Sequence, residues 1–276
     1  MSLPDRPRVV ITGAGGGLGR AFALELARRR GRVLAADIDL SAAELTAAAV
    51  RDAGGEARAV ACDVAKVAEV DALVEQADDA FGGADLVINN AGVAVSGPLA
   101  DIPLADWDWI VGINLMGVVY GCRAFIPHFK ARGGGAILNV ASAAGLLNTP
   151  QMAPYNVTKA GVVALSETLC GELQGTKIGV TVLCPTFFQT NIMQATRSCD
   201  PDQRRVAEKL MARAKLQAPE VARHALASVD AGELYSLPHS DGAWLWRLKR
   251  LTPERFYQTL VPKYFRKVAE RRGRAG

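Results

Sequence analysis

Six short β-rich runs alternate with helix-like segments over the first 190 residues, and this alternation restricts the possible folds more than any other feature. The runs are RVVIT (8–12), RVLAAD (32–37), ARAVACD (57–63), DLVINN (85–90), AILNVAS (136–142) and GVTVLCP (179–185). Between the first two, Gly17 to Arg30 carries Leu18, Phe22 and Leu26 on one helical face. The next segment, Ser41 to Ala53, opens on a serine N-cap with Glu44 three residues later, a capping-box pattern. Further helices are expected near 66–81, 106–131 and 155–174. Alternation of this kind predicts an α/β fold, doubly wound, with a parallel sheet covered by helices on both faces. The near-continuous apolar runs fit strands buried on both sides. Beyond residue 190 the pattern loosens into a charged, helical segment over about 191–231, followed by the apolar run ELYSLPH (233–239).

The net charge of +4 conceals an asymmetry. Residues 242–276 hold 10 Lys/Arg and 2 Asp/Glu, a balance of +8, leaving 22 basic and 26 acidic residues and a balance of −4 for the remainder. An acidic body argues against a nucleic-acid partner. The division expected is therefore a body, 1–241, and a basic amphipathic extension, 242–276. Five scattered cysteines without a CxxC pair predict neither a disulfide framework nor a metal site, and fit a reducing cytoplasm. No apolar run is expected to cross a bilayer, and the N-terminus lacks the layout of a secretory signal.

The first β-run leads into TGAGGGLGR, with Gly13, Gly17 and Gly19 in a Gly-x-x-x-Gly-x-Gly spacing. Glycines there permit a tight turn and close backbone approach, so that a diphosphate can sit at the helix N-terminus. Asp37 ends the second run, placed to accept hydrogen bonds from ribose hydroxyls and to repel a 2′-phosphate. No Lys or Arg occupies 14–16 or 38–40, which favours NAD over NADP. Asp39 lies past the strand end and is expected to face solvent. Farther along, Tyr155 follows a proline and precedes Lys159 by four residues, so the two share a helical face about 6 Å apart along the axis.

TGAGGGLG at 12–19, CDV at 62–64, NNAG at 89–92, Asn114, Ser142 and YNVTK at 155–159 together resemble the short-chain dehydrogenase/reductase family, over about residues 5–240. The resemblance implies one Rossmann domain with about seven strands, NAD(P) as cofactor, and interconversion of alcohols and carbonyls. It implies that Asn114, Ser142, Tyr155 and Lys159 form the catalytic group. Asp63, Asn90 and Thr190 would help to hold the cofactor, with Leu18, Val64, Ala91, Gly92 and Pro185 beside them in the matching motifs. Homodimers or homotetramers built through the helices near 106–131 and 155–174 are also implied. In chemical terms, hydride removal from an alcohol requires loss of the hydroxyl proton, and a phenol accepts it only if its pKa falls from about 10. The ammonium of Lys159 is expected to supply that shift, and Ser142 to hydrogen-bond the substrate oxygen. The family usually has Pro-Gly where this chain has Pro185-Thr186, so a residue that resists positive φ stands at the nicotinamide end.

Loops past the strand ends set specificity in such folds. Here they carry Val93, Val95, Leu146, Met152, Phe187, Phe188, Ile192 and Met193, without Arg or Lys in those stretches. An uncharged apolar alcohol or ketone is expected: a steroid, a lipid or an aromatic. A non-catalytic NAD-binding regulator on the same fold is the alternative, disfavoured by the full set of four catalytic residues. In the extension, Trp244, Leu248 and Leu251 share a face, as do Phe256, Leu260 and Tyr264, with basic residues between. It can lie on an anionic membrane surface or pack on protein.

Overall fold

The computed structural model describes residues 2–188, 192, 196–198, 211, 214, 216–261 and 263. The chain divides into two compact units, Met1–Pro238 and His239–Gly276. In the first, seven strands form one sheet: β1 (Arg8–Thr12), β2 (Arg32–Asp37), β3 (Glu56–Ala61), β4 (Leu86–Asn89), β6 (Gly135–Val140), β7 (Ile178–Leu183) and β9 (Tyr235–Ser236). Their order is β3-β2-β1-β4-β6-β7-β9, and every pairing is parallel. The chain starts in the middle, runs out to β3, then crosses back to continue from β4 to the other edge. The point of reversal lies between β1 and β4, where a doubly wound sheet opens its ligand crevice at the strands' carboxyl ends.

Eight α-helices accompany the strands among the described residues of this unit: α1 (Gly17–Ala27), α2 (Leu40–Asp52), α3 (Val67–Phe81), α4 (Leu104–Val111), α5 (Gly117–Ala131), α6 (Ala143–Leu147), α7 (Ala153–Glu172) and α8 (Ala218–Ala231). A core of Val9, Ile11, Phe22, Leu26, Val33, Ile88, Leu138, Val221 and Leu226 fills the space between the sheet and α1 and α8. These side chains are all but fully buried, the condition under which apolar area stabilises most.

Several expected details differ. The capping residue of α2 is Asp39, whose carboxylate accepts from Ala42 N at 3.2 Å, so Ser41 and Glu44 lie inside the helix. A carboxylate satisfies the first turn and also complements the positive end of the helix dipole. The fifth-run residues around Ser142 leave the sheet early: β6 stops at Val140 and Ser142 caps α6, accepting from Ala144 N at 3.1 Å. The expected helix over 106–131 is interrupted by a π-turn, Gly112–Met116. Leu104–Ala131 is also long and apolar enough to cross a membrane by length and composition, which the sequence reading did not anticipate. Ile110, Val118, Cys122, Phe125 and Phe129 on it are buried, as in a core helix. Finally, a strand β8 (Thr196–Ser198) occupies part of the segment expected to be helical. It pairs in parallel with an unanticipated β5 (Ala94–Ser96), with Val95 opposite Arg197.

Candidate active site

The glycine turn is sewn to the end of β4. Asn90 donates its side-chain amide to the carbonyls of Thr12 and Gly13 at 2.9 and 3.0 Å, while Thr12 Oγ1 accepts from the backbone of Asn90 and Ala91. Gly13 has φ +64°, and a Cβ on it would come within 2.8 Å of Ala91 Cα. A Cβ on Gly19 would lie 2.1 Å from the Gly13 carbonyl. Both positions therefore require glycine, the first for conformation and closeness, the second for closeness alone. Asn90 is thus committed to the backbone, so its contribution to a cofactor is to shape the turn.

At the start of α1, Gly16 makes no side-chain cap and no acidic residue stands in the first turn. The helix opens on Gly17 with Leu18 buried behind it, so its leading amides suit an anionic ligand. Asp37 ends β2 with its carboxylate over this turn, accepting from Gly15 N at 2.8 Å and Asp39 N at 3.0 Å. Asp39 is exposed, as expected. Asp63, after β3, accepts from Ala65 N at 3.0 Å and lies 3.7 Å from Lys66 Nζ. Val64 is buried under the start of α5, where a Cβ on Gly117 would touch it at 3.0 Å. An uncapped helix start, a glycine cradle and a carboxylate aimed over it fit the adenosine diphosphate half of a dinucleotide.

The second half of the site is built around Gly92. A Cβ placed there would be 3.3 Å from Asn114 Oδ1 and 3.5 Å from Lys159 Nζ, so both side chains converge on the space that glycine leaves. Asn114 sits in the π-turn, fully buried. Its Oδ1 accepts from Val93 N at 2.8 Å, and its Nδ2 donates to Val93 O at 2.9 Å and to Thr158 Oγ1 at 3.4 Å. A buried amide is tolerable because those partners satisfy it, and the π-turn marks a site where helix geometry yields to function.

Lys159, 3% exposed, donates to the Val140 carbonyl at 2.8 Å and lies 5.8 Å from the centre of the Tyr155 ring. Burial, opposed by the neighbouring Cys184, lowers its pKa to about 8. Tyr155 packs against a cluster of Val93, Val95, Ile102 and Ile110 and is hydrogen-bonded to Ser142. Burial raises its pKa, and the bond from Ser142 is the opposing influence. The expected lowering of the phenol by Lys159 is therefore not found among the protein's own groups. The ammonium sits toward the Val140 carbonyl and the ring face, and Ser142 assists the phenolate instead. Tyr155, Ser142, Lys159 and Asn114 are nevertheless brought into one place.

Sequence reasoning missed two groups here. Cys184, before Pro185, is buried beside Lys159 and accepts the Ser142 backbone N–H, and burial pushes its thiol up to about 12. Arg197 stacks 3.9 Å from the Trp109 ring and pairs with Asp106 at 2.6 Å. Only the pairing of β5 with β8 brings it there, a contact that no local pattern announces. Thr186 is free of the feared strain: among described residues other than glycine, only Arg30, Asn148 and Gln151 have positive φ. Pro185 is buried, its carbonyl accepting from Ala143 N at 2.9 Å.

The expected pocket residues divide. Val93 and Val95 belong to the cluster under Tyr155, and Phe188 is buried as a member of the main core cluster. Leu146 is buried, Met152 and Ile192 are half-buried, and Phe187 is exposed. Thr190 and Met193 lie outside the described residues.

A model of the short chain dehydrogenase family matches residues 7–200. A CLA biosynthesis dehydrogenase/reductase from Lactiplantibacillus plantarum is 42% identical over 185 residues, covering 66% of this chain and 65% of the relative, so the chain matches under two thirds of that protein's length. A 3beta-hydroxysteroid dehydrogenase 1 from Eggerthella lenta is 37% identical over 77% of this chain and 82% of its own. The crystal structure of a short chain dehydrogenase/reductase from Burkholderia phymatum in complex with NAD superposes with a TM-score of 0.85 at 35% identity, covering 90% of this chain and 95% of that one. Because the family match runs through the glycine turn and the Tyr155–Lys159 helix alike, the chain belongs to the short-chain dehydrogenase/reductase family of oxidoreductases.

Proposed function

We propose that this protein interconverts an apolar secondary alcohol and its ketone with NAD as cofactor. The observation that carries this reading is the convergence of Asn114 and Lys159 on Gly92, with Tyr155 beside Lys159 and hydrogen-bonded to Ser142, next to a cradle fitted to a dinucleotide. A bound nicotinamide cofactor supplies the acceptor or donor of hydride. Tyr155 takes the alcohol proton, or returns it to the carbonyl oxygen. Ser142 orients that oxygen and stabilises the phenolate through its hydrogen bond. Lys159, held by the Val140 carbonyl, directs its remaining donors toward the space beside Gly92, where it can grip a ribose hydroxyl. Asn114 holds the Val93 backbone at the edge of the site.

Asp37 supports the choice of NAD: its carboxylate is fixed over the glycine turn by two backbone N–H groups, where a 2′-phosphate would meet its charge. The NAD complex of the Burkholderia phymatum structure supports the same choice. Apolar specificity is supported by Leu146, Met152, Ile192 and Phe187, and by the neutralisation of Arg197 by Asp106. The 3beta-hydroxysteroid dehydrogenase relative is consistent with it.

The test is a panel of apolar secondary alcohols, small sugars and hydroxy acids offered with NAD⁺ or NADP⁺ while reduced nicotinamide is monitored. Apolar alcohols with NAD⁺ should give the highest kcat/KM, and Tyr155→Phe should cost on the order of 10²–10⁴-fold, the usual worth of a general acid–base. Equal rates for Tyr155→Phe and wild type would overturn the mechanism. Preference for NADP⁺ would overturn the cofactor choice, and preference for hydroxy acids the substrate class.

A further inference from the structure

The chemistry proposed above uses no residue of the unit His239–Gly276. Its described helix α9 (Ser240–Leu251) places Trp244, Arg247, Leu248 and Leu251 on one face, at positions i, i+3, i+4 and i+7. A helix normally buries its apolar stripe. Here Trp244 is 61% exposed and Leu251 81%, with Arg247 exposed between them. Basic groups flank this face on aromatic supports: Arg250 lies 5.2 Å from the Trp246 ring and Lys249 5.3 Å from that of Tyr257. Leu260 and Lys263 extend the exposed apolar and basic surface. Residues 242–276 carry the +8 balance while the rest of the chain is acidic overall.

We propose that this unit docks on an anionic lipid bilayer. Trp244 and Leu251 enter the boundary between headgroups and acyl chains, and Arg247, Arg250 and their basic neighbours meet lipid phosphates. A bilayer uses every part of the surface: the indole at interface depth, the aliphatic side chain below it, and long cationic side chains reaching outward. Nucleic acid would use the charge but leave an exposed leucine without a role. Contact with the same unit of a second copy would set one segment of charge +8 against another. The inference stands apart from the substrate reading, since it rests on no residue of the catalytic site.

Full-length protein should float with vesicles of phosphatidylcholine and phosphatidylglycerol at least about tenfold more than with phosphatidylcholine alone, and the difference should collapse in high salt. Trp244→Ser combined with Leu251→Ser, and separately Arg247→Gln combined with Arg250→Gln, should each reduce flotation about tenfold while leaving circular dichroism unchanged. Brominated lipid should quench the protein's tryptophan fluorescence, and Trp244→Phe should abolish most of that quenching. Equal partition into both vesicles, no partition into either, or quenching unaffected by Trp244→Phe would overturn the proposal. So would variants that change only the oligomer's mass or only retention on DNA.

Discussion

At Tyr155, burial pushes the phenol's pKa up while the hydrogen bond with Ser142 pulls it down. Ser142→Ala removes the lowering influence. The phenol should then titrate higher still, and the rising limb of alcohol oxidation should move to higher pH, with kcat/KM down roughly 10²-fold at neutral pH. A pH–rate profile of the variant checks this: an unmoved limb with a lower plateau would reduce Ser142 to a role in binding alone. The four proposed catalytic residues were legible in the sequence because the motifs that carry the family resemblance are distinctive. The direction of the Tyr155 shift was not legible, because it depends on Val93, Val95, Ile102 and Ile110 closing around the ring from other parts of the chain.

The close stacking of α6 on α7 sets Ser142 and Lys159 relative to each other. A Cβ on Gly145 would lie 2.5 Å from the Lys159 backbone carbonyl carbon, an atom that cannot swing aside, whereas one on Gly171, later in α7, meets nothing within 4 Å. Gly145→Ala should therefore separate the two helices, costing about 1–3 kcal/mol and much of the activity. Gly171→Ala should leave activity intact and stabilise by about 0.5–1 kcal/mol through helix propensity. Denaturant midpoints and rates measured side by side decide the matter, and a harmless Gly145→Ala would refute the packing argument. Neither glycine differs from the other in the sequence pattern. What separates them is the neighbour that tertiary packing supplies.

For the whole molecule, the buried Lys159 links folding to pH. Its pKa is about 8 in the native protein, against an ordinary value near 10.5 in the unfolded chain. Between these values the unfolded chain binds a proton that the native chain does not. Native stability therefore rises with pH through that window, by up to about 1.4 kcal/mol per unit, and below pH 8 the group is a constant cost. Lys159→Met removes the term. The stability of wild type relative to Lys159→Met should then increase from pH 8 to pH 10, measured from urea midpoints. A constant or falling difference would show that Lys159 keeps its proton when folded.

The sequence by itself determined the doubly wound class, the place of the glycine turn and, through its family resemblance, the four residues proposed as the catalytic group. Each of these is written in short-range periodicity or in motifs whose spacing the backbone enforces. Tertiary structure alone decided what those residues bond to: Asn90 to the turn it borders, Asn114 to Val93, Lys159 to Val140 and Arg197 to Asp106. It also decided the burial of Phe188 in the main core and the parallel ribbon of β5 and β8. Those outcomes depend on segments distant in sequence meeting at the sheet's carboxyl edge, where burial and partner choice are properties of the assembled chain and of no single stretch of it.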